Sequence, residues 1–378
     1  MKEIDFNKMT GYLDGLVQGG VPSVDCIVMR DHEQVYRHTA GTADASRTQS
    51  VSQDQLYLMF SMTKVQTMTA FMTLVEQGKV SLNDPVSRYL PAYKDLSVET
   101  PDGPAPAKTP MRLWHLVSMQ SGLDYDLQRP GIVRVLKERG MQATTRELVD
   151  AFPETPLKFE PGSHFLYSLS HDVVAAVIEV VSSMSFGEYL KKTIWEPLGM
   201  KDTFFAQPDN TSLPRLAQQW ICNDRGQIVP MEQTCNYQLS EAYQSGGAGL
   251  VSCAADYALL GDMLACGGVA ANGKRILKPE TVEQIKKNLL GEASRHDIAV
   301  NMGRVGYGYG VGMQVLMEPE QIESTSPAGL FGWDGAAGSC LVMDTASKTA
   351  LIYIQHVRNH GVSYGEIHPT LRDLVFGE

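Results

Sequence analysis

The sequence predicts an α/β protein of the α+β kind: an antiparallel sheet flanked by helices, with a mostly helical domain inserted. Three observations predict it. Strand-like runs gather at the two ends of the chain, within residues 23–39 and 307–355. Helical patterns fill most of the interval between. The run Val65–Val75 is apolar or small on nearly every face, which reads as a helix buried in the middle of a domain. Residues 1–80 and 246–378 then form one sheet domain, residues 81–245 a second lobe, and a cleft between them is the expected binding site.

Taken in order, Phe6, Met9, Leu13, Leu16 and Val17 recur at helical spacing, and Gly19-Gly20-Val21-Pro22 ends that helix. Ser23–Arg30 and Gln34–Thr39 read as a hairpin turning at Asp31-His32-Glu33. Leu56–Phe60 leads into the central helix, which Gly78 stops. Beyond the proline-rich stretch at 101–106, helical patterns follow at Arg112–Met119, Gly131–Glu138, Thr145–Ala151 and Asp172–Val181. The last is read as continuing through Phe186–Ile194. Two more helices are expected at Ala254–Cys266 and Pro279–Asn288. Strands follow at Tyr307–Leu316, Gly338–Asp344 and Thr349–Gln355, and a closing helix at Glu366–Phe376.

The chain has 378 residues, of which 43% are hydrophobic and 20% charged, enough for a large core. A formal charge of −11 without a basic run argues against a nucleic-acid or anionic-membrane surface. Met1–Phe6 lacks a secretory leader pattern and no apolar run reaches spanning length, so the expected location is cytoplasmic. Six cysteines without CxxC spacing favour reduced thiols over a disulfide frame or a zinc site. His356 and His360 follow a strand-like run, so helical metal-ligand spacing does not apply to them. No metal or cofactor is expected, and the oligomeric state is left open.

Ser61-Met62-Thr63-Lys64 heads the central helix. Residues three apart share a helix face, and a serine at a helix N-terminus sits among unpaired backbone N–H groups. Ser61 is therefore either a nucleophile with Lys64 beside it or an ordinary N-cap followed by a solvated lysine. For Lys64 to act as a base its pKa must fall by about three units, which desolvation in a buried helix can supply.

Further motifs accompany the tetrad. Gly78–Val86 and Leu116–Leu123 follow the helix. Phe159-Glu160-Pro161-Gly162 runs on to Tyr167-Ser168-Leu169, and Gly246–Ser252 and Gly332-Trp333-Asp334-Gly335 lie beyond. On these six ordered matches, nearly the whole chain resembles the serine β-lactamase and penicillin-binding protein superfamily, and most closely its class C-like carboxylesterases. The resemblance implies a β-lactamase/transpeptidase-like fold, with Ser61 as acyl-accepting nucleophile and Lys64 and Tyr167 sharing the proton work as two groups of pKa near 10. It also implies an oxyanion hole of the backbone N–H groups of Ser61 and Ala336, the latter on the strand of the third motif.

The departures bear on substrate. Trp333 and Asp334, with Gly335, stand where penicillin-recognising relatives carry a Lys or His and a small residue. An indole gives a substrate carboxylate no charge-assisted bond. Leu169 replaces an amide and is expected to make that wall apolar. Asp334 reads as a solvent-facing or turn-capping residue, or one that repels anions, and Met119 as core packing. The expected function is hydrolysis of small carboxylic esters through a Ser61 acyl-enzyme. The alternatives are a β-lactamase or D-stereospecific peptidase or amidase, with Arg358 as a substitute cation, an acyltransferase, and a penicillin-binding protein acylated without turnover.

Overall fold

The computed structural model describes residues 4–377; Met1–Glu3, where the leader reading starts, and Glu378 lie outside the described residues. Both ends of the chain do build one antiparallel sheet. Its seven strands run in the order Tyr307–Tyr309, Gln314–Leu316, Phe331–Asp334, Cys340–Asp344, Thr349–Ile354, Ser23–Arg30, Glu33–Gly41. Ile27 lies opposite Ile352, so the first and last long strands are direct neighbours. The first hairpin turns at Asp31 and His32, both in the left-handed region (φ 47° and 73°), as a two-residue turn that matches strand twist requires.

Alternation along the strands assigns the two faces. Val24, Cys26 and Val28 pack with Met9, Leu13, Leu371 and Val375 of the terminal helices Phe6–Gln18 and His368–Phe376. Ile27 and Met29 point the other way, with Leu341 and Ile352, into the main core. The helix Ala254–Ala265 covers that second face. Next to it runs the central helix Thr63–Glu76, in which every residue from Thr63 to Leu74 is buried.

A three-stranded clip holds the approach to the central helix. Tyr57–Leu58 pairs with Leu250–Ser252, which also pairs with Phe204–Phe205. Two- and three-residue strands such as these are too short to carry a period, and Ser97–Val98, Ala105–Pro106, Phe204–Phe205, Trp220–Cys222 and Ile228–Pro230 fall within residues 81–245, expected to be mostly helical.

Other elements also depart from expectation. The helix at Ser170–Ser182 does not continue: Ser183 turns left-handed (φ 58°) and Ser185 caps a new helix, Phe186–Leu190, in a capping box with Glu188. The serines there satisfy backbone donors locally and so end one helix and start another. The segments Ser170–Ser182 and Phe186–Leu198 meet at 76°, and no single helix among the described residues is long and apolar enough to cross a membrane. The run Tyr307–Leu316 is two strands joined at Gly310–Met313, where Gly312 (φ 72°) packs against Met68. A Cβ on Gly312 would lie 2.1 Å from Met68 Cγ. The helix Glu292–Met302 was unforeseen, since its sequence has no apolar stripe.

Phe71 sits fully buried in the central helix. Phe71→Ala should cost about 3–5 kcal/mol in urea unfolding; a loss under about 1 kcal/mol would show that the helix is not the packing centre.

Candidate active site

Ser61 lies in the 3₁₀ turn Phe60–Met62 immediately before the central helix. Met59 N–H donates to Leu250 O (2.8 Å), and Met62 N–H donates to Met59 O (3.1 Å), so the clip fixes the turn. Phe60 is fully buried and left-handed (φ 47°). A bulky residue in that region is strained, and the surrounding packing holds it there directly before Ser61.

Lys64 is completely buried one turn below Ser61. Its Nζ donates to Ser61 Oγ (3.2 Å), Tyr125 Oη (3.0 Å) and Gly247 O (2.7 Å). Burial pulls its pKa down to about 7, against the opposing pull of Asp172 and Asp334. The solvated first-turn lysine is thereby ruled out. Asp172 is itself buried, its Oδ1 accepting from Tyr243 Oη (2.8 Å) and Ser245 Oγ (2.6 Å), while Oδ2 has no partner. Gly247 is wedged between them: a Cβ there would lie 2.7 Å from Asp172 Oδ2 and 3.5 Å from Lys64 Nζ.

Tyr167 stands over Lys64, whose Nζ is 4.6 Å from the centre of its ring. The ring stacks between Tyr125 and Trp333, with centroids 5.5 Å away on each side. Tyr167 Oη accepts a 3.0 Å hydrogen bond from Trp333 Nε1. Burial raises the Tyr167 pKa, opposed by hydrogen bonding with Ser61 and Trp333. The expectation of two matched groups near 10 is therefore corrected: the low-dielectric site drives the amine down and the phenol up, because each disfavours its charged form there.

Gly332, Trp333 and Asp334 of the third motif lie in the strand Phe331–Asp334, Gly335 begins the turn after it, and the next strand starts only at Cys340. Ala336 is accordingly in the turn between the two strands, not on a strand. Gly335 brings this turn against the turn that carries Ser61: a Cβ there would be 2.6 Å from Met59 O. Tyr364 Oη donates to Gly335 O (2.9 Å) and braces it. Ser61, Tyr167, Trp333, Asp334, Ala336 and Tyr364 together line a cavity of about 330 Å³.

Three expectations change here. Asp334 is neither solvent-facing nor a turn cap: it is buried and ion-paired with Arg304, which also lines the cavity. The cation near Trp333 is Arg304, its guanidinium 5.9 Å from the ring centre; Arg358 instead covers Phe60 at 5.3 Å. Leu169 packs in the core beside the Ser170–Ser182 helix and is not among the described residues lining the cavity, because its place at the helix start turns it inward. Met119 is core packing as read.

His356 belongs to the scaffold. Its Nε2 accepts from Leu58 N–H (3.2 Å) and its Nδ1 lies 3.1 Å from Ala217 O, while burial lowers its pKa to about 4. Asp31, His32 and Cys266 bring possible metal-ligand atoms within 4.8 Å of one another. Lys348 already holds Asp31 (2.8 Å), Asp262 holds His32 (2.8 Å), and burial pushes the Cys266 thiol up to about 12, so the trio is a poor cation cage.

Sequence reading missed Tyr125, Asp172 and Arg304. Tyr125 follows the Ser121-Gly122-Leu123 stretch closely enough to have been considered; Asp172 passed as a helix start. Arg304 had no local signal, since only the fold brings residue 304 to residue 334.

The family model described as Beta-lactamase matches residues 7–374. Esterase EstB of Burkholderia gladioli is 28% identical, over 93% of this chain and 89% of its own. A putative D-alanyl-D-alanine carboxypeptidase of Salmonella typhimurium is 25% identical, over 97% and 85%. Among solved structures, EstCE1, described as a hydrolase with promiscuous acyltransferase activity, superposes with a TM-score of 0.80 at 25% identity, covering 98% of both chains. Unliganded simvastatin synthase (LovD) of Aspergillus terreus has the same fold, with a TM-score of 0.80 at 18% identity over 99% and 98%.

Burial brings the Lys64 pKa down to about 7, so the neutral fraction grows as pH rises through that region. Carbon-13 NMR of ε-labelled lysines should show one resonance titrating near 7, absent in Lys64→Met. Asp172→Asn should move its midpoint lower, by removing negative charge. A midpoint near 10 would refute the desolvation account.

Proposed function

The chain belongs to the Beta-lactamase family, and on that premise we propose that it is a serine hydrolase of small, uncharged carboxylic esters, acting through an acyl-enzyme on Ser61. The observation that carries this reading is the completely buried Lys64 amine hydrogen-bonded to Ser61 Oγ at 3.2 Å. At about pH 7 and above, the neutral amine accepts the Ser61 proton as Oγ attacks the ester carbonyl. The developing oxyanion is taken by the backbone N–H groups of Ser61 and Ala336, each donor of this kind contributing on the order of 3 kcal/mol. Tyr167, kept protonated by its surroundings, hands a proton to the departing alcohol and is re-protonated from Lys64. Water then repeats the sequence in reverse on the acyl-enzyme. Side chains and backbone donors complete the chemistry, so the reading calls for no cofactor.

Support for an ester over a β-lactam or peptide comes from the wall facing Ser61. Trp333 gives its indole N–H to Tyr167, and the nearby Arg304 is held by Asp334, so neither is free for a substrate carboxylate. The esterase among the relatives agrees. Acyl transfer to an alcohol is a second reading, favoured by the description of EstCE1.

A p-nitrophenyl ester series from acetyl to octanoyl, run beside a chromogenic cephalosporin with and without added alcohol, tests this. We expect steady ester turnover, slow cephalosporin cleavage, and a loss of at least about a thousandfold in Ser61→Ala. The ester kcat/KM should fall below about pH 7 as Lys64 protonates. Faster cephalosporin cleavage would overturn the ester reading. A single stoichiometric burst would mean a penicillin-binding protein, and a rising ester product with alcohol would favour transfer.

A further inference from the structure

Arg304 and Asp334 are the charged residues lining the Ser61 cavity among those described, and they are paired with each other. Each side chain keeps 12% of its surface exposed, so the pair is part of the cavity wall and not sealed in the core. Arg304 leans toward Trp333, the residue at the head of the third motif. Its bond to Asp334 runs through one terminal nitrogen, and its Nε is buried without a partner. A guanidinium has five N–H donors in a fixed fork. The site thus contains a cation suited to a carboxylate, with donors unused, and one acidic residue that both neutralises it and repels an incoming anion.

We propose that Arg304 is a latent anion-binding group of the Ser61 pocket and that Asp334, by holding it, sets the pocket's preference for uncharged acyl groups. This rests on the ester reading of the site. A substrate with a carboxylate on its acyl chain meets net zero charge at this wall and a carboxylate in its way. Neutralise Asp334 and the same wall carries one positive charge beside the nucleophile, in a partly desolvated setting where a charge-assisted, bidentate bond is strongest. Asp334 is then a specificity determinant acting through Arg304.

The test compares mono-p-nitrophenyl glutarate with p-nitrophenyl valerate, of equal acyl length but different charge. Asp334→Asn keeps an acceptor for Arg304 while removing the negative charge. The kcat/KM ratio of glutarate to valerate should rise at least about tenfold in Asp334→Asn and return to the wild-type value in Asp334→Asn/Arg304→Gln. Arg304→Gln alone, which leaves Asp334 uncompensated, should lower the ratio at least about tenfold. A binding arm needs no turnover: calorimetry with monomethyl glutarate in a Ser61→Ala background should show at least about tenfold tighter binding on Asp334→Asn, reversed by Arg304→Gln. An unchanged ratio and affinity in folded Asp334→Asn, or a gain surviving the loss of Arg304, would overturn the proposal. If Asp334→Asn does not fold, the Arg304→Gln ratio decides alone, and an unchanged value there overturns it. Absent valerate turnover with the expected binding change would refute the ester reading and leave this inference standing.

Discussion

The burial of one ammonium group governs this structure. Lys64 sits in a helix whose residues from Thr63 to Leu74 are all buried, and a charge in such a place is costly enough to pull its pKa down to about 7. The surroundings moderate that shift. Gly247 O, Tyr125 and Ser61 accept from the amine, and Asp172 lies close enough to oppose the shift although its unpaired oxygen accepts no hydrogen bond from it. Gly247 matters here for a steric reason, since a side chain at that position would press on the Asp172 carboxylate and the Tyr125 hydroxyl.

The same low dielectric acts on Tyr167 in the opposite sense. Two groups with similar intrinsic pKa values are separated by one environment, because one is cationic and the other anionic when charged. Tyr125 and Trp333 stack on the two sides of Tyr167, and the hydrogen bond from Trp333 orients the phenol oxygen. Trp333 is thus a structural partner of Tyr167 as well as a wall of the cavity.

Much of this was legible in the sequence. The apolar central helix, the first hairpin and the last two strands were readable, and ordered motifs drew Ser61, Lys64, Tyr167 and the 332–336 segment into one expectation; the fold brings Ser61, Tyr167, Trp333, Asp334 and Ala336 to one cavity, with Lys64 buried against Ser61. What stayed hidden has physical reasons. Strands of two residues have no period, and the break at Ser183 depends on competition between serine side chains and the helix backbone. Asp334 looked like a turn residue because its partner, Arg304, is thirty positions away and becomes a neighbour only when the strand Phe331–Asp334 is docked. Leu169 was assigned to the cavity from its motif position, yet the start of a buried helix turns it into the core.

The clip that seats the Ser61 turn is assembled from residues 57–58, 204–205 and 250–252, and the facing wall comes from residues beyond 300. During synthesis the serine therefore leaves the ribosome before the residues beyond 200 that complete its clip and before those beyond 300 that face it, so the site exists whole only in the full-length fold.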